Sequence, residues 1–253
     1  MSLSKRPEPA EPSGEFSSLR AVAPARTGNV FEETIECLLQ IIRLGIVPPG
    51  ARFPPERELA AQFGVSRATL REAISELNSA GWVDVRRGRG GGTFVAEQSG
   101  EAPRGIGKPV EQESLSAAEV EDTLAWRRVI ELGVVEVAAE QSLSAAQRQE
   151  LNQAMSESLE STLGNYRRLD SRLHLTWAKA TGSPSLVRSM AESRTRINKL
   201  LGRIPMIETN LTHSHEQHQR VVDAIFGGNA QAARSAMAEH LDGTAALLRG
   251  FLM

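Results

Sequence analysis

The chain holds one cysteine, one tyrosine and three tryptophans in 253 residues, and only 4% of it is aromatic. A single cysteine rules out any disulfide within the chain and fits a reducing cytoplasm. Cys37 falls among Ile35, Leu38 and Leu39, where a small buried hydrophobe is expected rather than a reactive thiol. No apolar run is long enough to span a bilayer, and the first residues lack a secretory hydrophobic region, so no membrane partner is expected. Charge of either sign is also scarce in excess. A net charge of −2 and a pI near 6.3 exclude a protein that coats nucleic acid through its overall charge.

What is present is an ordinary globular composition, 40% hydrophobic and 24% charged, in a chain long enough for two domains with a core each. Residues 1–28 are rich in Pro, Ser, Ala and Glu and are expected to form a disordered tail. The pattern then predicts a DNA-binding domain over 29–96, a Gly-, Pro-, Glu- and Gln-rich linker over 97–115, and a helical domain over 116–253.

The DNA-binding expectation rests on order. Apolar residues at Phe31, Ile35, Leu38, Leu39 and Ile42 predict a first helix, stopped by Pro48-Pro49-Gly50. Pro54-Pro55-Glu56 opens a second helix that Gly64 closes, and Ser66 can cap a third. On that third helix Leu70, Ile74 and Leu77 share the buried face, which leaves Arg67, Thr69 and Arg71 near the N-terminus to point outward. Two short strands, Trp82–Val85 and Thr93–Val95, flank a glycine-rich tip carrying Arg86, Arg87, Gly88 and Arg89. Ala51–Phe53 is expected to pair with that hairpin. Helix, tight turn, helix and hairpin is the plan of a winged helix-turn-helix that enters a major groove of double-stranded DNA. Arginine suits guanine through two parallel hydrogen bonds, threonine can touch a thymine methyl, and the arginine-bearing tip can reach a phosphate backbone or minor groove. The glycines do not make a phosphate-binding loop, because they lead into a strand rather than a helix and lack the Lys-Ser/Thr pair. Between Arg52 and Val95 seven arginines face five acids, so the positive charge is local.

The stretch PERELAAQFGVSRATLREAISEL with GWVDVRRGRGGGTFV resembles the GntR family of bacterial transcription regulators. That resemblance implies DNA contacts from Arg57, Arg67, Thr69 and Arg71, with Gly88 in the wing; Ser66, Arg87 and Arg89 complete the candidate set. Pro55 stands where the family carries a serine cap, and the wing has more glycines than its shortest forms.

Beyond the linker, helical periodicity runs over 116–141, 143–163, 166–180, 184–201, 213–226 and 230–248, which predicts an antiparallel bundle and a mainly α protein. All five histidines lie there. Asp170 and His174 are four apart and share a helix face, while His218 and His240 sit at near-equal distances from the turn at 227–229. Three imidazoles and a carboxylate converging in a bundle would hold a divalent metal, zinc or nickel before others. The segments LDSRLHLTWAKATGSPSL, EQHQRVVDAIFGGNAQAARSAMAEHL and WRRVIELGVVEVAA resemble the FCD effector domain of the FadR-like branch, and Asp170, His174, His218 and His240 match its metal-ligand pattern. His213 and His215 do not, and a solvent-exposed helix start is expected for His215. The resemblance further implies a small organic acid as effector, with Arg127 pairing its carboxylate; a surface ion pair with Glu131 is the plainer reading of Arg127. Arg194 and Arg196 are weaker pocket candidates.

These observations predict a homodimeric, ligand-responsive regulator, repression released by the ligand being the family's commoner mode, and not an enzyme. Two alternatives stand beside it: a bundle that only dimerises, and a metal-dependent hydrolase using the same four ligands, with Glu216 or Glu131 as base.

Overall fold

The computed structural model describes residues 28–88, 90–97 and 115–253; all but the last residue of the expected tail, all but the ends of the expected linker, and Arg89 lie outside them. The described residues are mainly helical. Helices α1 (Val30–Arg43), α2 (Glu56–Phe63) and α3 (Arg67–Ser79) precede strands β1 (Val83–Arg86) and β2 (Gly92–Val95). Helices α4 (Ala117–Ala139), α5 (Ala145–Leu159), α6 (Tyr166–Ala180), α7 (Pro184–Leu201), α8 (Glu208–Phe226) and α9 (Ala230–Leu252) follow. Among the described residues no helix is long and apolar enough to cross a membrane.

The local signals act as their chemistry requires. Ser66 Oγ accepts from the Thr69 amide and caps α3, and Ser116 with Glu119 closes a reciprocal capping box on α4, as Ser144 with Gln147 does on α5. Pro55 sits at the α2 N-cap and offers no side-chain acceptor. Gly64 takes the left-handed conformation (φ 69°) that ends α2 and turns the chain into α3. β1 and β2 pair antiparallel with Val83 opposite Val95, and Arg52 bridges to Phe94, so the 51–53 segment joins the hairpin.

Helix α8 begins five residues before the expected start at His213. Only Leu211 carries an apolar signal in that first stretch, so periodicity could not mark it. His215 is therefore inside the helix and partly buried, its ring 5.6 Å from that of Tyr166, rather than at an exposed helix start.

The core does not divide where the linker falls. One apolar cluster runs from the hairpin and α2–α3 (Phe53, Phe63, Leu70, Val83) through α1 (Ile35, Leu38, Leu39) to the ends of α7 and α9 (Ile197, Leu200, Leu248, Phe251). A second fills the bundle around Leu132, Leu173, Trp177, Val221 and Met237. The expectation of one core per domain gives way because α1 lies along α9. A Cβ on Gly250 would lie 3.0 Å from the Glu36 Cα, so the missing side chain lets the two backbones approach. Cys37 is buried beside this contact, and burial pushes its thiol pKa up to about 12, which leaves it protonated and unreactive.

Candidate metal centre and nucleic-acid interface

Three helices aim four polar side chains at one point inside the bundle. Asp170 and His174 lie one turn apart on α6, and His218 and His240 come from α8 and α9, the antiparallel pair joined at 227–229. All four are at most 5% exposed. The three imidazoles each offer a ring nitrogen within 4.8 Å of the others. Asp170 Oδ1 is 3.6 Å from His174 Nε2 and 3.5 Å from His218 Nε2, and His218 Nε2 is 3.4 Å from His240 Nε2. Bonds of about 2.0–2.1 Å to a tetrahedral zinc put neighbouring donor atoms roughly 3.3 Å apart. The spacing fits such an ion.

Hydrogen bonding fits it too. Asp170 Oδ1 and His174 Nε2 are buried without a hydrogen-bond partner, although buried polar atoms are ordinarily paired. Asp170 instead gives its other oxygen to the Arg194 guanidinium. His174 Nδ1 donates to Glu131 Oε2 at 2.8 Å, which leaves Nε2 bare and facing the centre. His240 Nδ1 lies 3.2 Å from Gln217 Oε1, and that amide oxygen can only accept. His218 Nδ1 has no such support.

Glu131 is fully buried and its Oε1 accepts from Arg127 Nε (3.1 Å) and Ser193 Oγ (2.8 Å). The Arg127–Glu131 pair read from the sequence therefore exists, but inside the bundle rather than on its surface. Burial alone would raise the Glu131 pKa; Arg127, His174 and Arg194 outweigh it and hold the carboxyl well below its ordinary value. Asp170 is likewise pushed up by burial and pulled down, on balance, by Arg194 first. Burial lowers the pKa of all three imidazoles, of His218 to about 3. At neutral pH the site thus offers an ionised carboxylate and neutral imidazoles, the protonation states a metal needs.

Beside the four lies a cavity of about 40 Å³, lined by Arg127, Arg194, Asp170 and His240 on one side and by Ile204, Ile207 and Leu211 on the other. Arg127 Nη1 is buried there with no partner. Arg196 is elsewhere, paired with Glu192 and stacked over Trp126. His213 faces α1, with Nδ1 2.9 Å from Glu32 Oε1. Sequence reasoning missed the supporting roles of Gln217 and Ser193; each is a polar residue on a helix whose partner lies far along the chain, and no local signal marks it.

At the other end of the molecule Arg57, Ser66, Arg67, Arg71, Arg87 and Gly88 are exposed and Thr69 is half-buried. Thr69 Oγ1 is 2.8 Å from the capping Ser66 Oγ. Arg71 Nε donates to Glu56 Oε2 at 2.6 Å, and Arg67 lies 4.0 Å from the same oxygen. The start of α3 therefore presents two guanidinium groups around one carboxylate, with the wing tip as a separate basic projection.

Comparison with known proteins finds a family match in each half of the chain. Residues 31–95 match the description "Bacterial regulatory proteins, gntR family" and residues 122–243 match "FCD domain". The "Putative L-lactate dehydrogenase operon regulatory protein" of Escherichia coli K12 is 31% identical over 231 residues, covering 87% of this chain and 85% of its own. The Uxu operon transcriptional regulator of the same organism is 31% identical, covering 77% of each chain. The regulator LutR of Bacillus subtilis 168 is 28% identical, covering 83% and 97%. The chain is a GntR-family transcription regulator, with an N-terminal DNA-binding helix-turn-helix and a C-terminal helical FCD domain.

Proposed function

We propose that this regulator works as a homodimer on double-stranded operator DNA and represses a metabolic operon until a small organic acid binds its FCD domain. Arg57, Ser66, Arg67, Thr69, Arg71, Arg87, Gly88 and Arg89 would meet the duplex, those on α3 at base edges and those of the wing at phosphates or the minor groove. Asp170, His174, His218 and His240 would hold a divalent ion, zinc or nickel by their donor chemistry. Bound there, the metal supplies a Lewis-acidic position for an oxygen of the effector. Arg127, with one guanidinium nitrogen unpartnered at the cavity wall, would take the effector's carboxylate. The observation that carries this reading is the pair of partnerless buried atoms, Asp170 Oδ1 and His174 Nε2, beside two further imidazoles.

The cavity suggests how ligand and DNA communicate. Ile204, Ile207 and Leu211 line the cavity opposite Arg127, so an organic acid seated on that arginine would press on the 204–211 wall. That wall leads into α8, where Thr209 donates to Glu72 of α3 (3.1 Å) and Asn210 to Glu32 of α1 (3.1 Å). A ligand that prefers the displaced wall shifts the population of head arrangements by its differential affinity.

The names of the relatives point to the acids to try first, L-lactate among them. Footprinting on the DNA upstream of the protein's own gene, with the zinc-loaded protein and a panel of such acids, tests the reading. Protection of a palindrome that one acid relieves is expected. Protection that no acid alters, with no acid raising the melting temperature, would leave the bundle as a dimerisation unit, and consumption of an acid would make it an enzyme.

A further inference from the structure

Asn29 stands at the N-cap of α1, where an asparagine ordinarily accepts a hydrogen bond from the first turn. Its side chain makes no such bond. It reaches across to the bundle instead: Nδ2 donates to the Glu239 carbonyl of α9 at 2.6 Å, and Oδ1 accepts from Gln217 Nε2 of α8 at 2.9 Å. Gln217 Oε1 in turn faces His240 Nδ1 at 3.2 Å. Asn29 and Gln217 are each 4% exposed, so the chain of contacts from a candidate metal ligand to the first helix of the DNA-binding head is sealed from water.

The direction of every bond is fixed. Arg127 has only hydrogens to give, and its Nη2 lies 3.4 Å from His240 Nε2, so Nε2 is the bare nitrogen and Nδ1 carries the hydrogen. That hydrogen commits the Gln217 oxygen, which commits the Gln217 nitrogen to Asn29 Oδ1, which commits Asn29 Nδ2 to Glu239. Turning either amide over would break two hydrogen bonds at once. Room for the last step comes from Gly243 on α9: a Cβ there would lie 2.6 Å from Asn29 Oδ1. Glycine inside a helix costs stability relative to alanine, and here its absence of a side chain is what admits the Asn29 amide.

We infer that Gln217 and Asn29 are positioning residues that carry the state of the metal centre to α1. The inference rests on the reading of Asp170, His174, His218 and His240 as a metal site. A metal on His240 Nε2 pins the imidazole, holds Nδ1 against Gln217 and so locks Asn29 and the start of α1 onto α9. Without the metal, Nε2 of the ring keeps only its long contacts to Arg127 and His218, 3.4 Å each, the relay slackens, and the N-terminus of α1 loosens with it.

Hydrogen exchange of α1 amides in the full-length protein tests this, comparing chelator-stripped protein with the same protein loaded with zinc, bound zinc being counted in parallel. In the wild type, zinc should slow exchange along α1, while Asn29→Ala, and the milder Asn29→Ser, bind zinc as the wild type does and lose that slowing. Gly243→Ala, which touches no ligand and crowds Asn29 from the other side, should lose it as well. Gln217→Ala should both lose the slowing and weaken zinc binding about 10- to 100-fold, as removal of an outer partner of a ligating imidazole does. A purely structural role would change α1 exchange equally with and without zinc. If zinc slows α1 in the Asn29 variants as in the wild type, or leaves α1 unchanged in wild type that demonstrably holds it, the relay is refuted. If the wild type holds no zinc, the metal reading falls and the relay with it.

Discussion

Arg71 is 60% exposed on its side chain yet held by Glu56, a carboxylate on the preceding helix. The pairing orients a long side chain, and in the proposed DNA complex it would be exchanged for base or phosphate contacts. Replacing Arg71 by Ala is expected to weaken operator binding by about 1–3 kcal/mol, with the fold intact because the residue buries nothing. Unchanged affinity by electrophoretic mobility shift would remove Arg71 from the interface. Residue identity was the most legible level of the sequence: Asp170, His174, His218 and His240 were visible as a set because helical spacing and a symmetric hairpin bring them together. Glu131 was visible only as half of an i, i+4 pair. That it is buried, and shared by Arg127, His174 and Ser193, depends on α6 and α7 packing against α4, which no local pattern encodes.

Helix α3 illustrates an element fully specified by its own residues. Ser66 caps it, Leu70, Ile74 and Leu77 bury it, and its first turn stays outside. Ser66→Ala removes the acceptor for the Thr69 amide and should lower stability by about 1 kcal/mol, while a chemical-denaturation midpoint equal to wild type would show the cap to be idle. Helix α8 shows the opposite. Its first five residues, Glu208 to Thr212, carry one buried apolar side chain, Leu211, so their helicity is set by docking on α1 and α3 rather than by periodicity. The same blindness hid Asn29, which reads as an ordinary cap in sequence and serves as a tertiary contact in the fold.

At the scale of the molecule the head and the bundle share one apolar cluster and a set of buried and partly buried polar links across α1. One of these links titrates. The hydrogen bond from His213 to Glu32 raises the imidazole's pKa above its ordinary 6.5, with Glu216 and Glu72 adding to the shift and partial burial opposing it. A raised folded-state pKa gives stability that is full below about 6.5 and fades as pH rises through the folded value. The buried His174, His218 and His240, whose pKa values are lowered, act in the opposite sense, so the His213 effect must be read as a difference. Wild type should melt above His213→Gln at pH 6, and the gap should shrink toward pH 8; a gap that is constant with pH would show that the pair does not couple to folding.

Metal stoichiometry is the most direct test of the proposed centre. Full-length protein made without a metal-affinity column, stripped with chelator and titrated with zinc, should take up one ion per chain. The folded His218→Ala variant should bind it far more weakly. Wild type that fails to bind zinc stoichiometrically, or a His218→Ala protein that binds it equally well, would contradict the assignment of Asp170, His174, His218 and His240 as a metal site.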